Sequence, residues 1–192
     1  MQKAHALPLD IRVYLVDAKE GITEEMRERL WQFMDEETRA RILQKKLGNT
    51  DSLIADALRQ YAIFDAFGIA PSQQKVRRTE RGKPYLEGYR DVFFNYSHSG
   101  GVILLAAARR EIGVDVQEIK PYTDSAAKRL FTEEERTWLA SEQDKEEAFF
   151  RLWTKHEAAA KLYGTGLFHP HPDEGFYYTE RYKQYMLTFA WL

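Results

Sequence analysis

Residues 111–117 have the sequence Glu-Ile-Gly-Val-Asp-Val-Gln, in which aliphatic residues alternate with small or polar ones. This period of two predicts a β-strand that buries its aliphatic side chains and turns Asp115 and Gln117 to the opposite face. Residues 153–161, Trp-Thr-Lys-His-Glu-Ala-Ala-Ala-Lys, have helical spacing instead, so that their first, fifth and last side chains share one side of a helix. The two patterns place Asp115 on a strand and Glu157 on a helix, and we expect these carboxylates to hold one hard cation.

The pair of acids and the neighbouring lysine indicate phosphate chemistry. Magnesium keeps several waters and usually takes one or two protein carboxylates together with substrate phosphates, so Asp115, Glu157 and Lys161 suit magnesium that carries a pyrophosphate. Taken singly, Asp115 is equally a surface carboxylate and Glu157 half of an exposed ion pair with Lys161. Two features favour the shared site: an acid between valines costs free energy unless it has a partner, and Trp153 indicates that the helix face is partly buried.

The composition is that of a folded globular protein. The chain has 192 residues, of which 44% are hydrophobic and 30% charged, enough for one good core or two small halves. A formal net charge of -2 gives no overall attraction to nucleic acid, so an anionic ligand must be held by a local basic cluster. The lack of cysteine excludes disulfides, thiol catalysis and cysteine metal sites. The first residues lack the apolar core of a signal peptide and no segment could span a bilayer, so we expect a cytoplasmic protein without a membrane partner.

The hydrophobic pattern predicts a mixture of helices and strands. Strands are expected at residues 11–16, 92–96, 102–108 and 112–117, with one or two more in the aromatic-rich residues 176–191. Helices are expected after Thr23, from near Asp35, from Asp51 to Phe67, after Thr132, and from Glu146 to Tyr163 with Gly164 as the stop. Residues 97–101, Ser-His-Ser-Gly-Gly, are expected to join two strands. Segregated helices and hairpin-linked strands indicate an α+β fold with a soft boundary near Arg109.

Other segments have both a phosphate-binding and a structural interpretation. In residues 95–101, small residues and glycines let backbone N–H groups approach a phosphate while His98 adds a switchable charge, or they serve a hairpin turn. Residues 81–84, Arg-Gly-Lys-Pro, are typical of a solvated turn. A basic patch suits a phosphate or is simply a solvated helix face; it consists of Arg39, Arg41, Lys45 and Lys46. The two histidines in residues 169–172 are rejected as a metal site, because a proline-broken loop without a third ligand is a poor one.

Four blocks in sequence order resemble one family. They are residues 81–84, residues 94–100 (Phe-Asn-Tyr-Ser-His-Ser-Gly), residues 113–116 (Gly-Val-Asp-Val), and residues 152–167 from Leu-Trp-Thr to Gly-Thr-Gly-Leu. Their order and spacing are similar to those of the 4′-phosphopantetheinyl transferases of the surfactin-synthetase-activating (Sfp) type, over roughly residues 11–168. The resemblance implies a pseudo-dimer of two similar α+β halves with the active site at their interface. Residues 1–108 would be the half that binds coenzyme A, and residues 109–192 an abbreviated half with the magnesium and carrier-protein site.

The resemblance also implies roles for individual residues. Asp115 and Glu157 match the metal-binding acids, and Gln117 stands where many members have a third acid, so its amide oxygen or a water would complete the metal site. Lys161 matches the lysine that meets the pyrophosphate; together with the two acids it forms the expected catalytic group. The expected coenzyme A contacts are His98, Ser97, Lys83 and Lys161, and also Arg39 and Arg41 because Asp51 stands where a phosphate-binding arginine is often found. His156 stands at the position of a common lysine.

The activity implied by the resemblance is transfer of 4′-phosphopantetheine from coenzyme A to a serine of an apo acyl or peptidyl carrier protein. Adenosine 3′,5′-bisphosphate would be released, with magnesium as the cofactor and Glu157 orienting or deprotonating the serine. Two alternatives stay open. Gln117, His156 and the short C-terminal part suggest a non-catalytic module that binds coenzyme A or the carrier, and the same acids with water as the attacker would make a magnesium-dependent phosphohydrolase. We expect a monomer whose partners are coenzyme A and the carrier, without nucleic acid.

Overall fold

The computed structural model describes residues 1–19, 21–34, 36, 39–40, 50–166, 172 and 174–192. The strands are β1 (Gln2–Lys3), β2 (Arg12–Asp17), β3 (Val76–Arg78), β4 (Pro84–Leu86), β5 (Phe93–Ser99), β6 (Val102–Ala108), β7 (Ile112–Glu118), β8 (Phe176–Tyr182) and β9 (Tyr185–Trp191). The helices are α1 (Glu24–Phe33), α2 (Thr50–Phe67), α3 (Asp124–Leu130), α4 (Glu133–Ser141) and α5 (Lys145–Tyr163), with a 3-10 turn at Pro71–Gln73. The predicted α+β class is confirmed.

The strands form two sheets and one separate hairpin. The first sheet has the order β2-β6-β5 and is antiparallel, and the hairpin consists of β3 and β4. The second sheet has the order β1-β8-β9-β7, in which only β1 and β8 run parallel. Strand β1, at the start of the chain, therefore completes the sheet built from the last strands, which the sequence does not predict because two exposed polar residues carry no strand pattern.

The two sheets share one hydrophobic core. Alternate residues of three strands form this core, with contributions from Val102 to Ala108 on β6, from Ile112 to Val116 on β7 and from Tyr185 to Trp191 on β9. The other residues of β6 face helix α2, where Leu105 and Ala107 belong to the same buried cluster as Ile63. Helix α5 lies against β7 and β9 in the same way. Each sheet is therefore covered on one side by the other sheet and on the opposite side by one long helix, which is why both β6 and β7 are buried on both faces.

Helix α5 approaches β7 very closely at Gly113. A Cβ atom at this position would lie 2.1 Å from the carbonyl oxygen of Ala158 and 2.4 Å from the amide nitrogen of Leu162. Only a residue without a side chain permits this separation, and the glycine in the alternating pattern of residues 111–117 thereby brings the helix onto the strand that carries Asp115.

Local signals fix most element boundaries. Thr23 caps α1 by accepting a hydrogen bond from the amide of Met26, and α5 ends at Gly164 in the left-handed conformation (φ 64), both as predicted. The predicted capping box at Thr132 is confirmed, because Thr132 and Glu135 exchange two hydrogen bonds. The helix start expected near Asp35 lies outside the described residues. Within the described chain, none of the helices has the length and apolar character that a bilayer crossing requires.

The connection between β5 and β6 is shorter than the sequence predicts. Strand β5 continues through Ser99, so only Gly100 and Gly101 form the turn, with φ values of 55 and 83. Positive φ at both central residues is the geometry of a type I′ hairpin, for which a Gly-Gly pair is well suited. The prediction that residues 97–101 form a loop is wrong for Ser97, His98 and Ser99, and their position on a strand determines how they reach the site.

Candidate active site

Polar side chains join the edges of the two sheets. Strands β5 and β7 are edge strands of different sheets, and every second residue of β5 from Asn95 bonds to β7. The Oδ1 atom of Asn95 accepts from the amide of Val114 at 3.0 Å, and Ser97 donates to Asp115 at 2.6 Å. Further along, Ser99 accepts from the amide of Glu118 at 3.1 Å. This polar column (Asn95, Ser97 and Ser99) replaces the backbone ladder that a continuous sheet would have.

Asp115 is the centre of this seam and is buried, with 1% of its side chain exposed. Its Oδ1 atom accepts hydrogen bonds from the hydroxyl of Ser97 and from the Nζ atom of Lys161, which lies 2.7 Å away. Its Oδ2 atom receives Nε2 of Gln117 at 3.3 Å. A buried carboxylate is costly unless it is paired and hydrogen-bonded, and here a lysine from α5 and two uncharged donors meet that requirement. The partner that the sequence requires for this acid is therefore Lys161.

Glu157 lies one helical turn before Lys161 and is partly buried. Burial raises the pKa of its carboxyl group, the charge of Asp115 raises the pKa further, and the charges of Lys161 and His156 lower it. The charge of Asp115 thus acts on the carboxyl group of Glu157, although the two acids are 42 residues apart in the chain. Their mutual repulsion is what a cation between them would relieve.

The donor set suits a hard cation with few protein ligands. Among the residues that the structure describes, no group of three or more histidine, aspartate and glutamate side chains converges. Two carboxylates, Asp115 and Glu157, influence each other electrostatically, and this number matches the one or two that magnesium usually takes beside substrate phosphates. Gln117 directs its amide nitrogen to Asp115, while its amide oxygen receives the hydroxyl of Ser99 at 3.4 Å.

A cleft of about 390 Å³ opens over these residues. Five residues predicted for the site line it, namely Lys83, Ser97, His98, Glu157 and Lys161. They come from the β3–β4 hairpin, from β5 and from α5, so the cleft brings side chains from distant parts of the chain to one place. Asp115 is connected to the cleft through Ser97 and Lys161, both of which contact its carboxylate.

Lys83 has a structural partner in addition to its place in the cleft. Its Nζ atom donates to the carbonyl oxygen of Leu162 at 2.6 Å and pairs with the carboxylate of Glu111. Only 15% of its side chain is exposed. The Leu162 carbonyl belongs to the last turn of α5, where carbonyl groups lack helical partners. Lys83 therefore ties the turn between β3 and β4 to the end of the helix that carries Glu157 and Lys161.

The structure places Arg39, another predicted contact, apart from the cleft. The guanidinium group of Arg39 donates to the carbonyl oxygens of Trp31 and Gln32, at 2.9 and 3.0 Å, near the end of α1. Arg39 is not among the described residues that line the cleft, and Arg41 lies outside the described residues. His156 hydrogen bonds to Glu135 of α4 at 2.8 Å, so the residue at the position of the family's lysine has an internal partner.

Some residues of the site are not predicted by the sequence. Arg78 and Arg81 line the cleft, although the sequence predicts no role for residue 78 and places residue 81 in a charged turn without a binding role of its own. The polar column is also missed. Its signal is present, because polar residues at positions 95, 97 and 99 repeat with the period of a strand face and lie among apolar neighbours.

Comparisons with known proteins agree with this site. Residues 17–110 match the family model described as "4′-phosphopantetheinyl transferase, N-terminal", and residues 111–184 match that of the 4′-phosphopantetheinyl transferase superfamily. A 4′-phosphopantetheinyl transferase of Bacillus subtilis is 36% identical over 118 residues, which cover 60% of this chain and 53% of the relative. The 4′-phosphopantetheinyl transferase Sfp of Bacillus subtilis strain 168 is 29% identical over 161 residues, covering 82% of this chain and 72% of Sfp.

A third relative comes from another bacterial group. The 4′-phosphopantetheinyl transferase HetI of a Nostoc species is 39% identical over 109 residues, 52% of this chain and 46% of HetI. The chain thus spans about half the length of several curated relatives that it matches and nearly three quarters of Sfp. The two family models together extend from residue 17 to residue 184. On this evidence the chain belongs to the 4′-phosphopantetheinyl transferase superfamily and is of the Sfp type.

Proposed function

We propose that this chain transfers the 4′-phosphopantetheine group from coenzyme A to a serine of an apo acyl or peptidyl carrier protein. Adenosine 3′,5′-bisphosphate is the second product. The observation that carries the proposal is that Glu157 and Lys161 line one cleft together with Ser97, while the carboxylate of Asp115 is hydrogen-bonded to both Ser97 and Lys161. Together with the family membership, this arrangement supports chemistry on a bound pyrophosphate.

The reaction needs positioning and charge stabilisation more than covalent chemistry. The serine oxygen forms a bond to the phosphorus that bears pantetheine, and the bond from that phosphorus to the oxygen of the adenosine bisphosphate breaks. The serine proton leaves toward Glu157, directly or through a water. No covalent enzyme intermediate is required.

Glu157 is suited to accept that proton. Its pKa is raised by burial and by the charge of Asp115, which moves the carboxylate closer to the basicity that a general base needs near neutral pH. Lys161 reaches the cleft and holds a positive charge beside Asp115. We propose that its ammonium group donates to the phosphoryl oxygens, on which negative charge increases as the transferred group moves.

We propose magnesium as the cofactor, held by Asp115 and Glu157, with Gln117 or a water at the third position. When bound, such an ion neutralises charge on the pyrophosphate and polarises the phosphorus. Ser97, His98 and Lys83 are proposed coenzyme A contacts because all three line the cleft. Contacts by Arg39 and Arg41 remain proposals based on the family resemblance alone.

We propose that residues 1–108 and 109–192 form the two halves of a pseudo-dimer with the site between them, the second half being abbreviated. The face-to-face sheets, each covered by one long helix, support this division, and the seam between β5 and β7 carries Ser97 on one side and Asp115 on the other. Strand β1 is an exception, since it lies in the sheet of the second half. We further propose a monomer in the cytoplasm that docks the carrier at the mouth of the cleft.

A carrier-modification assay tests the proposal. The protein is mixed with coenzyme A, magnesium and a purified apo carrier, and the carrier is weighed by mass spectrometry. We expect the mass of one phosphopantetheine to be added by the wild type, and turnover to fall by roughly a hundredfold or more for Glu157→Gln. Glu146→Gln in the exposed first turn of the same helix is the matched control and should retain activity.

The same assay separates the alternatives. An unmodified carrier with intact coenzyme A, across a set of different carriers, would favour a non-catalytic binding module. Breakdown of coenzyme A in the absence of any carrier would favour a phosphohydrolase. Near-normal carrier modification by Glu157→Gln would refute the role given to this residue.

A further inference from the structure

We infer that the hydroxyl group of Thr154, through its contact with Thr188 on β9, positions helix α5 and Glu157 during the reaction. Thr154 is then a positioning residue, and the inference rests on the transfer function proposed above. Both threonine side chains are fully buried, since 0% of each residue is exposed. Their Oγ1 atoms lie 2.8 Å apart, and this hydrogen bond joins the helix to the second sheet.

The hydroxyl groups of three threonines form a chain of hydrogen bonds with a fixed direction. The Oγ1 atom of Thr154 donates to the carbonyl oxygen of Phe150 at 2.9 Å. A hydroxyl group has one hydrogen, so Thr154 accepts from Thr188, and Thr188 in turn accepts from Thr179 of β8 at 2.8 Å. Removing one hydroxyl from this chain would leave a neighbouring one in the core without its acceptor, which costs free energy.

Thr188 is also the cross-strand neighbour of Asp115. The pairing register places Thr179 of β8 opposite Thr188 of β9, and Thr188 opposite Asp115 of β7. Side chains that lie directly opposite each other on antiparallel strands share one face of the sheet. The three residues therefore form a polar row under α5, and Ser97 of the other sheet extends the row through its hydrogen bond to Asp115.

Helix α5 is attached to this row at two points. Lys161 contacts Asp115 at 2.7 Å, and Thr154 contacts Thr188. Glu157 lies between the two attachments, three residues after Thr154 and four before Lys161. Residues at these spacings lie on the same side of a helix. The two contacts therefore stand on either side of the proposed proton acceptor.

The two attachments respond differently to a bound substrate. The contact of Lys161 is charged and 28% of its side chain is exposed, whereas the contact between Thr154 and Thr188 is neutral and buried. A phosphate group in the cleft competes for the ammonium group but does not reach the hydroxyls. When Lys161 donates to the phosphoryl oxygens, the threonine contact persists and keeps Glu157 in place. Because small displacements of a reacting group lower the rate strongly, this contact should affect turnover more than binding.

Thr137 of helix α4 provides a matched control. It is exposed, and its hydroxyl donates to the carbonyl oxygen of Glu133 at 2.9 Å, the same contact within a helix that Thr154 makes with Phe150. Valine keeps the branched shape of threonine and lacks the hydroxyl group. Thr137→Val therefore removes a hydrogen bond within a helix without removing a contact between a helix and a sheet.

Steady-state kinetics of carrier modification test the inference. Varying the concentration of coenzyme A separates kcat from KM, and circular dichroism checks that each variant is folded. We expect kcat to fall roughly tenfold in Thr154→Val and in Thr188→Val, with little change in KM for coenzyme A. Thr154→Ser keeps the hydroxyl group and should recover most of the rate, and Thr137→Val should match the wild type.

The double variant Thr154→Val/Thr188→Val separates positioning from stability. Replacing both partners of a hydrogen bond by apolar groups of the same shape can be nearly neutral for stability, so this chain should fold even if a single variant does not. Its kcat should nevertheless remain low. Amide hydrogen exchange adds a readout that does not depend on activity, and we expect amides of α5 to exchange severalfold faster in the double variant but not in Thr137→Val.

Several results would overturn the inference. They are a wild-type kcat in the double variant, a Thr154→Ser chain as slow as Thr154→Val, an equal loss of kcat in Thr137→Val, and unchanged exchange of the α5 amides in the double variant. The proposed function has a separate readout, which is the mass that the wild type adds to the carrier. If the wild type modifies no carrier, that function fails, and hydrogen exchange alone then decides whether the threonine contact holds the helix.

Discussion

The Nζ atom of Lys161 lies 2.7 Å from the Oδ1 atom of Asp115, so the cation expected to meet the substrate is also the counter-ion of a buried acid. The same oxygen accepts the hydroxyl of Ser97 from the other sheet. Lys161 therefore links stability and chemistry at one point. When a ligand competes for its ammonium group, the charge of Asp115 needs a replacement partner, and a bound divalent ion would be one.

Removing the ammonium group should destabilise the protein. In Lys161→Met the carboxylate of Asp115 stays buried without a counter-ion, and because the lysine side chain is 28% exposed we expect a loss near the lower end for broken buried pairs, roughly 3 kcal/mol. Urea unfolding followed by circular dichroism measures the free energy. Lys128→Met in α3, an exposed lysine, is the control and should cost less than about 1 kcal/mol. If Lys161→Met/Asp115→Asn proved no more stable than Lys161→Met alone, the counter-ion account would fail.

Replacing Glu157 should stabilise the fold while it lowers turnover. Because the pKa of Glu157 is raised, the folded state disfavours its ionised form, and this cost is present at pH values above the raised pKa. Glu157→Gln removes the charge, so we expect the melting temperature to rise by a few degrees at pH 8 and by less near pH 4, where the wild-type group is increasingly protonated. Differential scanning calorimetry at both pH values checks this. An equal or larger gain at pH 4 would contradict it.

Magnesium should stabilise the wild type through the same pair of acids. A ligand that binds only the folded state raises the unfolding free energy by about 2.7 kcal/mol at a hundred times its dissociation constant. We expect magnesium to raise the melting temperature of the wild type in the absence of coenzyme A, and chelation by EDTA to reverse the rise. Asp115→Asn and Glu157→Gln should each abolish the effect, whereas Glu146→Gln should preserve it. A rise of equal size in all four chains would indicate nonspecific binding.

The contact between Glu135 and His156 should govern part of the acid unfolding. Burial raises the pKa of Glu135, but hydrogen bonds from His156 and from the Thr132 amide, with nearby positive charge, lower it to about 2 overall. Since its ordinary value is 4.5, the contribution of this carboxylate is complete above about pH 4.5 and is lost as the pH falls toward 2. Glu135→Gln keeps the side-chain oxygen of the capping box and should be less stable than the wild type at pH 7, but equally stable near pH 2.

Stability measured across that pH range provides the test. Glu134→Gln, an exposed neighbour on the same helix, should follow the wild type at every pH. A difference between wild type and Glu135→Gln that stays constant from pH 7 to pH 2 would show that the carboxylate does not act through its charge.

Each residue of the polar column should contribute to the free energy of unfolding in proportion to how deeply its hydrogen bond is buried. Asn95→Leu leaves the buried amide of Val114 without an acceptor, and we expect a loss of about 2 kcal/mol. Ser99→Ala removes a similar acceptor from the amide of Glu118 at a partly exposed position, where water can replace it, and should cost under about 1 kcal/mol. Urea unfolding of both variants measures the difference. Equal losses would argue against burial as the cause.

The sequence predicts the local parts of this molecule well. The period of residues 111–117, the spacing in α5 and the threonine caps depend on neighbours along the chain, so Asp115, Glu157 and Lys161 are placed on the right elements. The sequence does not predict which strand edges meet. The column from Asn95 to Ser99 and the pairing of β1 with β8 depend on residues up to about 170 positions apart, and such contacts carry no local signal.

Side-chain partners that are far apart in the sequence are equally hard to predict. The sequence indicates a charged turn at Lys83, but its pairing with Glu111 and Leu162 exists only once the hairpin lies on the end of α5. The position of Arg81 is equally hard to predict, because it lines the cleft with Glu157 only in the folded chain. Where the role of a residue depends on partners far away in the chain, the sequence leaves both a functional and a structural interpretation open.

The absence of a side chain at position 113 sets the distance between helix α5 and strand β7, and therefore the position of the proposed reactive groups on the helix. A Cβ atom at position 113 would lie only 2.1 Å from the carbonyl oxygen of Ala158. Even alanine would therefore push helix α5 away from the strand, and Glu157 and Lys161 would move with the helix. Asp115, two residues further along the same strand, would stay behind. The distance between Asp115 and Glu157 therefore depends on Gly113, a residue that takes no part in the chemistry.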